Sequence, residues 1–364
     1  MSTWVVASSI VSPLGNTSEE NYAKLRQQIS GLTMVQNTSL SDQPIFAGHL
    51  KEFQSDARQT KFESMCLKAT EIALDKITLD PVRTLYILST TKGNISLLNP
   101  PINKSGRLEL HATAKWLAHQ AGFHHALVVS NACISGVLSL IVAKRFLESG
   151  KFDHAVVVGA DVLSRFVISG FESLHALSSE PCRPFDTGRK GINLGEAAAV
   201  IVLSSKPNAG TSIQITGSGL SNDANHISGP SRTGEELAIA IGQALDEAKK
   251  KPAEIDFISA HGTATLFNDE MEAKAFHQLG MEGILLHSLK GYFGHTLGTA
   301  GIVETVMCVH SLLTDEVLVS KGFDTLGVSV PVNVCRELVS KPLTTCLKTA
   351  SGFGGCNAAI ILQK

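Results

Sequence analysis

The sequence predicts an α/β protein built of two similar halves, and three observations carry that expectation. Short β-branched runs alternate with helical stretches throughout the 364 residues, the pattern of helices and strands layered around a buried sheet. Runs such as Ala155–Val158 and Ala197–Leu203 are apolar without alternation, as strands covered on both faces are. Gly195–Leu203 is echoed by Gly355–Leu362, and each follows, by about sixty residues, a strand, a tight turn and a helix of small residues. The two helices, after Cys133 and after His295, are apolar almost all round, which suits helices held between two sheets in an α-β-α-β-α sandwich. The halves are expected at residues 1–205 and 211–364, joined near Ser204 to Gly210.

Strands are expected at Trp4–Ala7, Leu85–Ser89, Ala126–Ser130, Ala155–Gly159 and Ala197–Leu203 in the first half. The second half offers Ile213–Gly219, Phe257–Ala260, Ile284–Leu286 and Ala358–Leu362. Ser18, with Glu19 and Glu20 behind it, opens a helix that sets Tyr22, Leu25 and Ile29 on one face and stops at Gly31, a glycine C-terminus. Thr233 with Glu236 reads as a capping box for a helix through Ile239, Ala240, Ala244 and Leu245.

Composition narrows the function. With 31 Lys plus Arg against 33 Asp plus Glu, the chain lacks the electrostatic footprint of a protein that grips nucleic acid or anionic lipid. Its longest unbroken apolar run, Ala197–Leu203, is far short of the roughly 18–20 residues that cross a bilayer. No basic region or small-residue cleavage site follows Met1, so no membrane span, no secretory signal and a cytoplasmic location are expected. Seven cysteines, an odd number without a C-x-x-C pair, argue against a disulfide framework or a structural zinc site.

One cysteine stands apart. Cys133 follows the strand Ala126–Ser130 and opens a helix near Ser135, where the positive helix end and free backbone amides would lower a thiol pKa and stabilise an oxyanion. A buried packing cysteine is the equal alternative from position alone. His261 ends the strand Phe257–Ala260, and His295 precedes the second apolar helix, both at sheet ends where catalytic groups of α/β folds gather. Taken together, at equivalent places in repeated halves, the three make a nucleophile with two neutral imidazoles. Each histidine is embedded in glycine and threonine rather than in a ligand pair, so no metal is expected.

Seven segments in order, SIVSPLGNT, NACISG, CRPFDTGRKGINLGEAAAV, SNDANHISGP, HGTATLFND, LKGYFGHTLGTAG and SGFGGCN, run nearly end to end. In them the chain resembles the elongating, two-histidine β-ketoacyl-acyl-carrier-protein synthases of the thiolase superfamily. The resemblance implies a thiolase-like fold and a decarboxylative Claisen condensation of malonyl-acyl-carrier protein with an acyl group held on Cys133, in fatty-acid, polyene or polyketide biosynthesis. It implies an oxyanion hole from the amides of Cys133 and Phe353, enolate stabilisation by His261 and His295, and a buried charged pair of Lys290 with Glu272. Thr263 and Thr265 would bond the phosphopantetheine arm, and Phe353, between Gly352 and Gly354, would be a gating aromatic. No bound cofactor is implied. The implied partners are the acyl carrier protein and a second copy or a related chain in a dimer, with Arg58, Lys61, Arg165 or Lys190 as docking cations.

The chain also departs from the family pattern. Thr91 to Ala126 is shortened and carries Pro100, Pro101 and Lys104; Ser351 replaces a phenylalanine and Cys356 a threonine; Asn131 and Ile134 replace smaller or hydroxyl residues. These departures point to a specialised product. Two other functions compete: a non-catalytic partner of the chain-length-factor kind, which usually lacks the nucleophile, and a ketosynthase-like acyltransferase or decarboxylase.

Overall fold

The computed structural model describes residues 3–51, 53, 55, 58–98, 106–207, 212–224 and 229–364. Pro100, Pro101, Lys104, Gly210 and the Asn225–Ser228 stretch of SNDANHISGP lie outside the described residues.

The chain begins with β1 (Thr3–Val11), α1 (Ser18–Arg26), β2 (Leu32–Val35), β3 (Ile45–Gly48) and α2 (Lys61–Leu74). It continues through β4 (Thr84–Ser89), α3 (Leu110–Gln120), β5 (His125–Val129), α4 (Ser135–Glu148), β6 (His154–Asp161), α5 (Arg165–Ser173), β7 (Leu194–Gly195) and β8 (Ala197–Ser204). The second half holds β9 (Gln214–Asn222), α6 (Glu235–Ala248), β10 (Phe257–Ser259), α7 (Leu266–Gln278), β11 (Leu285–His287), α8 (Lys290–Phe293) and α9 (Ala300–Thr314). It closes with β12 (Glu316–Val317), β13 (Asn333–Val334), β14 (Val339–Ser340), β15 (Thr345–Gly352) and β16 (Cys356–Gln363).

One sheet of 11 strands runs in the order β13-β11-β10-β15-β16-β9-β1-β8-β6-β4-β5. Its two wings carry the same element order: β5-β4-β6-β8-β1 on one side mirrors β11-β10-β15-β16-β9 on the other. They meet where Thr3 and Trp4 pair with Ile215 and Gln214. Strand alternation explains the layering. Ile87, Val157 and Ile201 face a central core with Leu140 and Ile141 of α4 and Val306 and Met307 of α9. Their neighbours Tyr86, Leu88, Val156 and Val202 face outward onto Phe62 and Met65 of α2 and Leu117 of α3. In the second wing Ile360 points to the centre while Ile361 points to Leu237 and Ile241 of α6. The result is helices, sheet, two central helices, sheet, helices.

The central helices cross closely. A Cβ on Gly136 would stand 2.8 Å from the Ile302 nitrogen, and one on Gly301 2.6 Å from that of Val137, so the contact is backbone on backbone at the helix starts. Residues Leu297–Thr314 have a mean hydropathy of 1.4 and are 83% buried, as a helix between two sheets must be.

Some expectations are corrected. The helix α6 begins at Glu235 behind a left-handed Gly234 with no side-chain cap, which places Glu236 one position too early to close a box with Thr233. The helix α1 ends at Arg26, capped at its start by Thr17. Gln28 turns left-handed, which puts the half-exposed Ile29 beyond the helix. The strand β15 adds to the expected set; Lys348 and three hydroxyl residues interrupt its apolar pattern and hide it in the sequence.

Candidate active site

Cys133 stands at the end of β5, in the turn that leads into α4. The turn is tight: Ala132 has φ +44°, a left-handed backbone that costs energy for a residue with a Cβ and concentrates at functional positions. Ser135 holds it, its hydroxyl accepting from the Asn131 amide at 2.8 Å and donating to the Ala132 carbonyl at 2.7 Å. His295 occupies the matching place after β11. Its amide donates to the Asn193 carbonyl at 2.7 Å and its carbonyl accepts from the Gly195 amide at 3.0 Å, so the first wing clamps the second wing's histidine. His261 follows β10, one strand inward.

The three side chains converge. The Cys133 sulfur and one ring nitrogen from each of His261 and His295 lie within 4.8 Å of one another, and the two rings meet edge to face with centroids 5.2 Å apart. Both His295 nitrogens and Nδ1 of His261 are buried without a hydrogen-bond partner. Buried polar atoms rarely go unpaired, so these are free to meet an oxygen brought in by a substrate. Burial, then the Lys290 ammonium, holds both imidazoles well below their ordinary pKa, with Lys348 adding to the effect. Both rings are therefore neutral at pH 7. The same donor set could ligate a metal by distance, but two buried ammonium groups beside it oppose a divalent cation.

The thiol corrects an expectation. Burial pushes Cys133 up to about 12, against the pull of Lys290 and of the nearby Phe353 amide. Helix placement therefore does not produce a resting thiolate; the proton must leave as the sulfur reacts. The loop that carries Phe353 packs on the Cys133 turn, where a Cβ on Gly352 would lie 3.0 Å from the Cys133 nitrogen.

The expected pair of Lys290 with Glu272 is not formed. Lys290 is fully buried, so it is no surface lysine, but its ammonium pairs with Glu304 and donates to the His261 carbonyl at 3.0 Å. Glu272 instead accepts from the amides of His261 at 2.8 Å and Gly262 at 2.6 Å, from Asn268 and from Thr349. It supports the His261 loop through amides, without Lys290. Sequence reasoning missed Glu304 and Lys348, which form an ion pair at 2.7 Å. A lone glutamate in the apolar helix AGIVETVMCV was the available signal, since a charge there needs a partner.

A cavity of about 480 Å³ joins Cys133, His261, His295, Thr263, Thr265 and Phe353. The hydroxyls of Thr263 and Thr265 bond each other at 2.8 Å. Phe353 is 39% exposed and packs on Phe171 with ring centroids 5.8 Å apart, which places it at the mouth and outside the core. Ser351 bonds Asn357 at 2.8 Å, and Cys356 is buried under the same loop, its thiol 3.5 Å from the Phe353 carbonyl. Of the four docking candidates, Lys190 lines the cavity mouth and pairs with Glu180; Lys61 pairs with Glu196 and Arg165 with Asp42. Arg58 lies away from the cavity lining. A larger groove of about 1300 Å³ on the first wing is not lined by Cys133, His261 or His295.

Comparison with known proteins follows the same outline. The family model of the β-ketoacyl synthase N-terminal domain matches residues 111–209, and that of the C-terminal domain residues 213–323. A 3-oxoacyl-[acyl-carrier-protein] synthase 2 of Vibrio cholerae is 33% identical over 258 residues, covering 65% of this chain and 62% of that protein. The protein of the same name from Vibrio harveyi is 28% identical over 407 aligned positions, covering 99% of this chain and 98% of its own length. Among solved structures, a ketosynthase in complex with its chain length factor from Xenorhabdus doucetiae superposes with a TM-score of 0.87 at 26% identity, covering 100% of this chain and 98% of that one.

Proposed function

The chain belongs to the β-ketoacyl synthase family, and from that premise we propose that it is an acyltransferase that condenses malonyl-acyl-carrier protein with an acyl group held on Cys133, in fatty-acid or polyketide biosynthesis. The observation that carries this reading is the convergence of the Cys133 sulfur with two neutral imidazoles within 4.8 Å. In the first half-reaction the sulfur attacks an acyl thioester. The C–S bond to Cys133 forms, the carrier's C–S bond breaks, and the thiol proton leaves with the carrier thiol by way of an imidazole. The developing oxyanion is held by the amides of Cys133 and Phe353.

In the second half-reaction malonyl thioester loses CO₂, and its electron pair becomes an enolate whose oxygen accepts from His261 and His295. Neutral rings serve here as donors near neutral pH. The enolate carbon attacks the acyl-Cys133 carbonyl, the bond to sulfur breaks, and the thiolate takes back a proton. Thr263 and Thr265 steady the carrier's phosphopantetheine arm, and Phe353 gates the cavity between its two glycines. Lys290 and Glu272 hold the His261 loop by separate contacts. The acyl and malonyl groups arrive on the carrier arm, so no bound cofactor or metal takes part.

The chain is read as two thiolase-like halves, 1–205 and 211–364, each supplying one edge of the site. A dimer, with a second copy or with a related chain-length-factor-like chain, fits the open outer edge of β5 at the end of the sheet. All seven cysteines are unbridged and buried, which suits the reducing cytoplasm in which we place the protein.

Intact-protein mass spectrometry tests this. Mixed with acyl carrier proteins bearing chains of several lengths, the protein should gain one acyl mass, lose it on addition of malonyl carrier protein, and gain none in Cys133→Ala. Acyl transfer that persists in Cys133→Ala overturns the nucleophile; loading without elongation favours a transferase; no loading favours a non-catalytic partner.

A further inference from the structure

Lys348 is a fully buried lysine on β15 that the reading above does not use. Its ammonium forms an ion pair with Glu304 of α9 at 2.7 Å and donates to the Ser259 carbonyl at the end of β10 at 3.1 Å and to the Thr349 carbonyl at 2.5 Å. It thus ties together the helix that follows His295, the strand that ends two residues before His261, and the strand that leads into the Gly352–Phe353–Gly354 turn. Lys290 shares the same Glu304. One carboxylate is therefore shared by two ammonium groups, with Glu272 within electrostatic reach of Lys348, and both ammonium groups lie close to the two imidazoles. In the matching place of the first wing, Ser89 pairs with Gly159, where Ser259 here pairs with Lys348. The charge is peculiar to the second wing.

We propose that Lys348 is a positioning residue for the decarboxylation step: through Glu304 and the Ser259 carbonyl it fixes the segments that carry the two histidines, and its charge favours the anionic enolate. This rests on the functional reading above. The titratable groups that face it are Glu304 and Cys308 of α9, Cys346 on its own strand, Glu272 of α7, Lys290 of α8, and His261 and His295. His287 of β11 lies behind Cys308. Lys348 contributes to the low pKa of both rings, and its loss lets their pKa rise.

The experiment is a comparison of the parent with Lys348→Met, which removes charge and tie, and with Lys348→Gln, which keeps a donor for the carbonyls without the charge. Acyl loading of Cys133 should stay within about threefold, while kcat for malonyl decarboxylation falls by about tenfold or more, with KM little changed. The acid limb of its pH profile should move upward in both variants, because histidines with a higher pKa lose their neutral form at a higher pH. Equal loss of loading and decarboxylation with an unmoved acid limb makes Lys348 merely structural and overturns the proposal. Histidine NMR titration gives a reading independent of turnover: the parent's two site rings should titrate well below the ordinary value of about 6.5, and higher in Lys348→Gln. Ordinary values in the parent overturn the proposal even if no variant folds. A parent with low-titrating rings that never decarboxylates malonyl thioesters sinks the functional reading and leaves the charge effect standing.

Discussion

The two wings of the sheet share one scaffold and anchor their active-site loops with opposite charges. In the first, Asp161 at the end of β6 is buried and accepts from the Thr90 hydroxyl at 2.9 Å, the Thr91 amide at 3.1 Å and, across the seam, the Gly298 amide at 2.8 Å. In the second, Lys348 and Lys290 donate to carbonyls and share Glu304. A carboxylate gathers amides, and an ammonium gathers carbonyls; either can pin a strand end. The choice decides the chemistry nearby. Ionised Asp161 helps keep the Cys133 thiol protonated, while the lysines favour neutral rings. Cys133 and His295 thus sit on equivalent turns in different fields.

The sharpest way to break this comparison is to remove the shared anion. Glu304→Gln leaves two buried ammonium groups without a carboxylate between them, and loss of one partner from a buried ion pair costs about 3–5 kcal/mol. Chemical denaturation should show a loss of that size; a change below about 1 kcal/mol, the range of exposed pairs, would mean that the lysines are compensated elsewhere.

The matching test in the first wing is Asp161→Asn, read against pH. Burial raises the Asp161 carboxyl from 3.8 to about 6. A carboxyl raised on folding binds its proton more tightly in the folded state, so its contribution to stability is greatest at low pH and is lost as pH rises from about 4 to about 6. The stability of the parent relative to the variant should therefore fall across that window by about 2–3 kcal/mol. A difference independent of pH would show that Asp161 is ionised throughout.

The smallest effect probes the seam. A methyl group in Gly136→Ala would meet the Ile302 nitrogen at 2.8 Å and the Gly301 nitrogen at 2.9 Å, and such overpacking costs about 1–3 kcal/mol. It should also slow both half-reactions, because the same crossing brings Cys133 and His295 together. Full activity in a destabilised variant would separate packing from site geometry.

Much of this was legible. The strands around Leu85–Ser89, Ala155–Gly159 and Ala197–Leu203 stood out because both faces of the sheet are covered, which makes every position apolar. Cys133 and His295 could be matched because each ends a strand before an apolar helix, and tertiary structure brings repeated motifs to equivalent places. The polar support was harder. Lys290 was assigned to Glu272, which lies in a helix next to the His261 loop and bonds its amides, whereas the true partner Glu304 comes 14 residues after Lys290, one turn into α9. Two glutamates with similar local surroundings are separated only by which way their helices pack.

The α/β class and the doubled architecture could be read from the chain alone, because periodicity is a local property that survives without coordinates, and the ordered segments around Cys133, His261 and His295 marked those three as candidates. Folding was needed to show which carboxylate neutralises Lys290, that Lys348 joins it, and that burial raises the Cys133 thiol. Those are properties of charge at a distance in a medium of low dielectric, where a group's state depends on what other segments bring within a few ångströms.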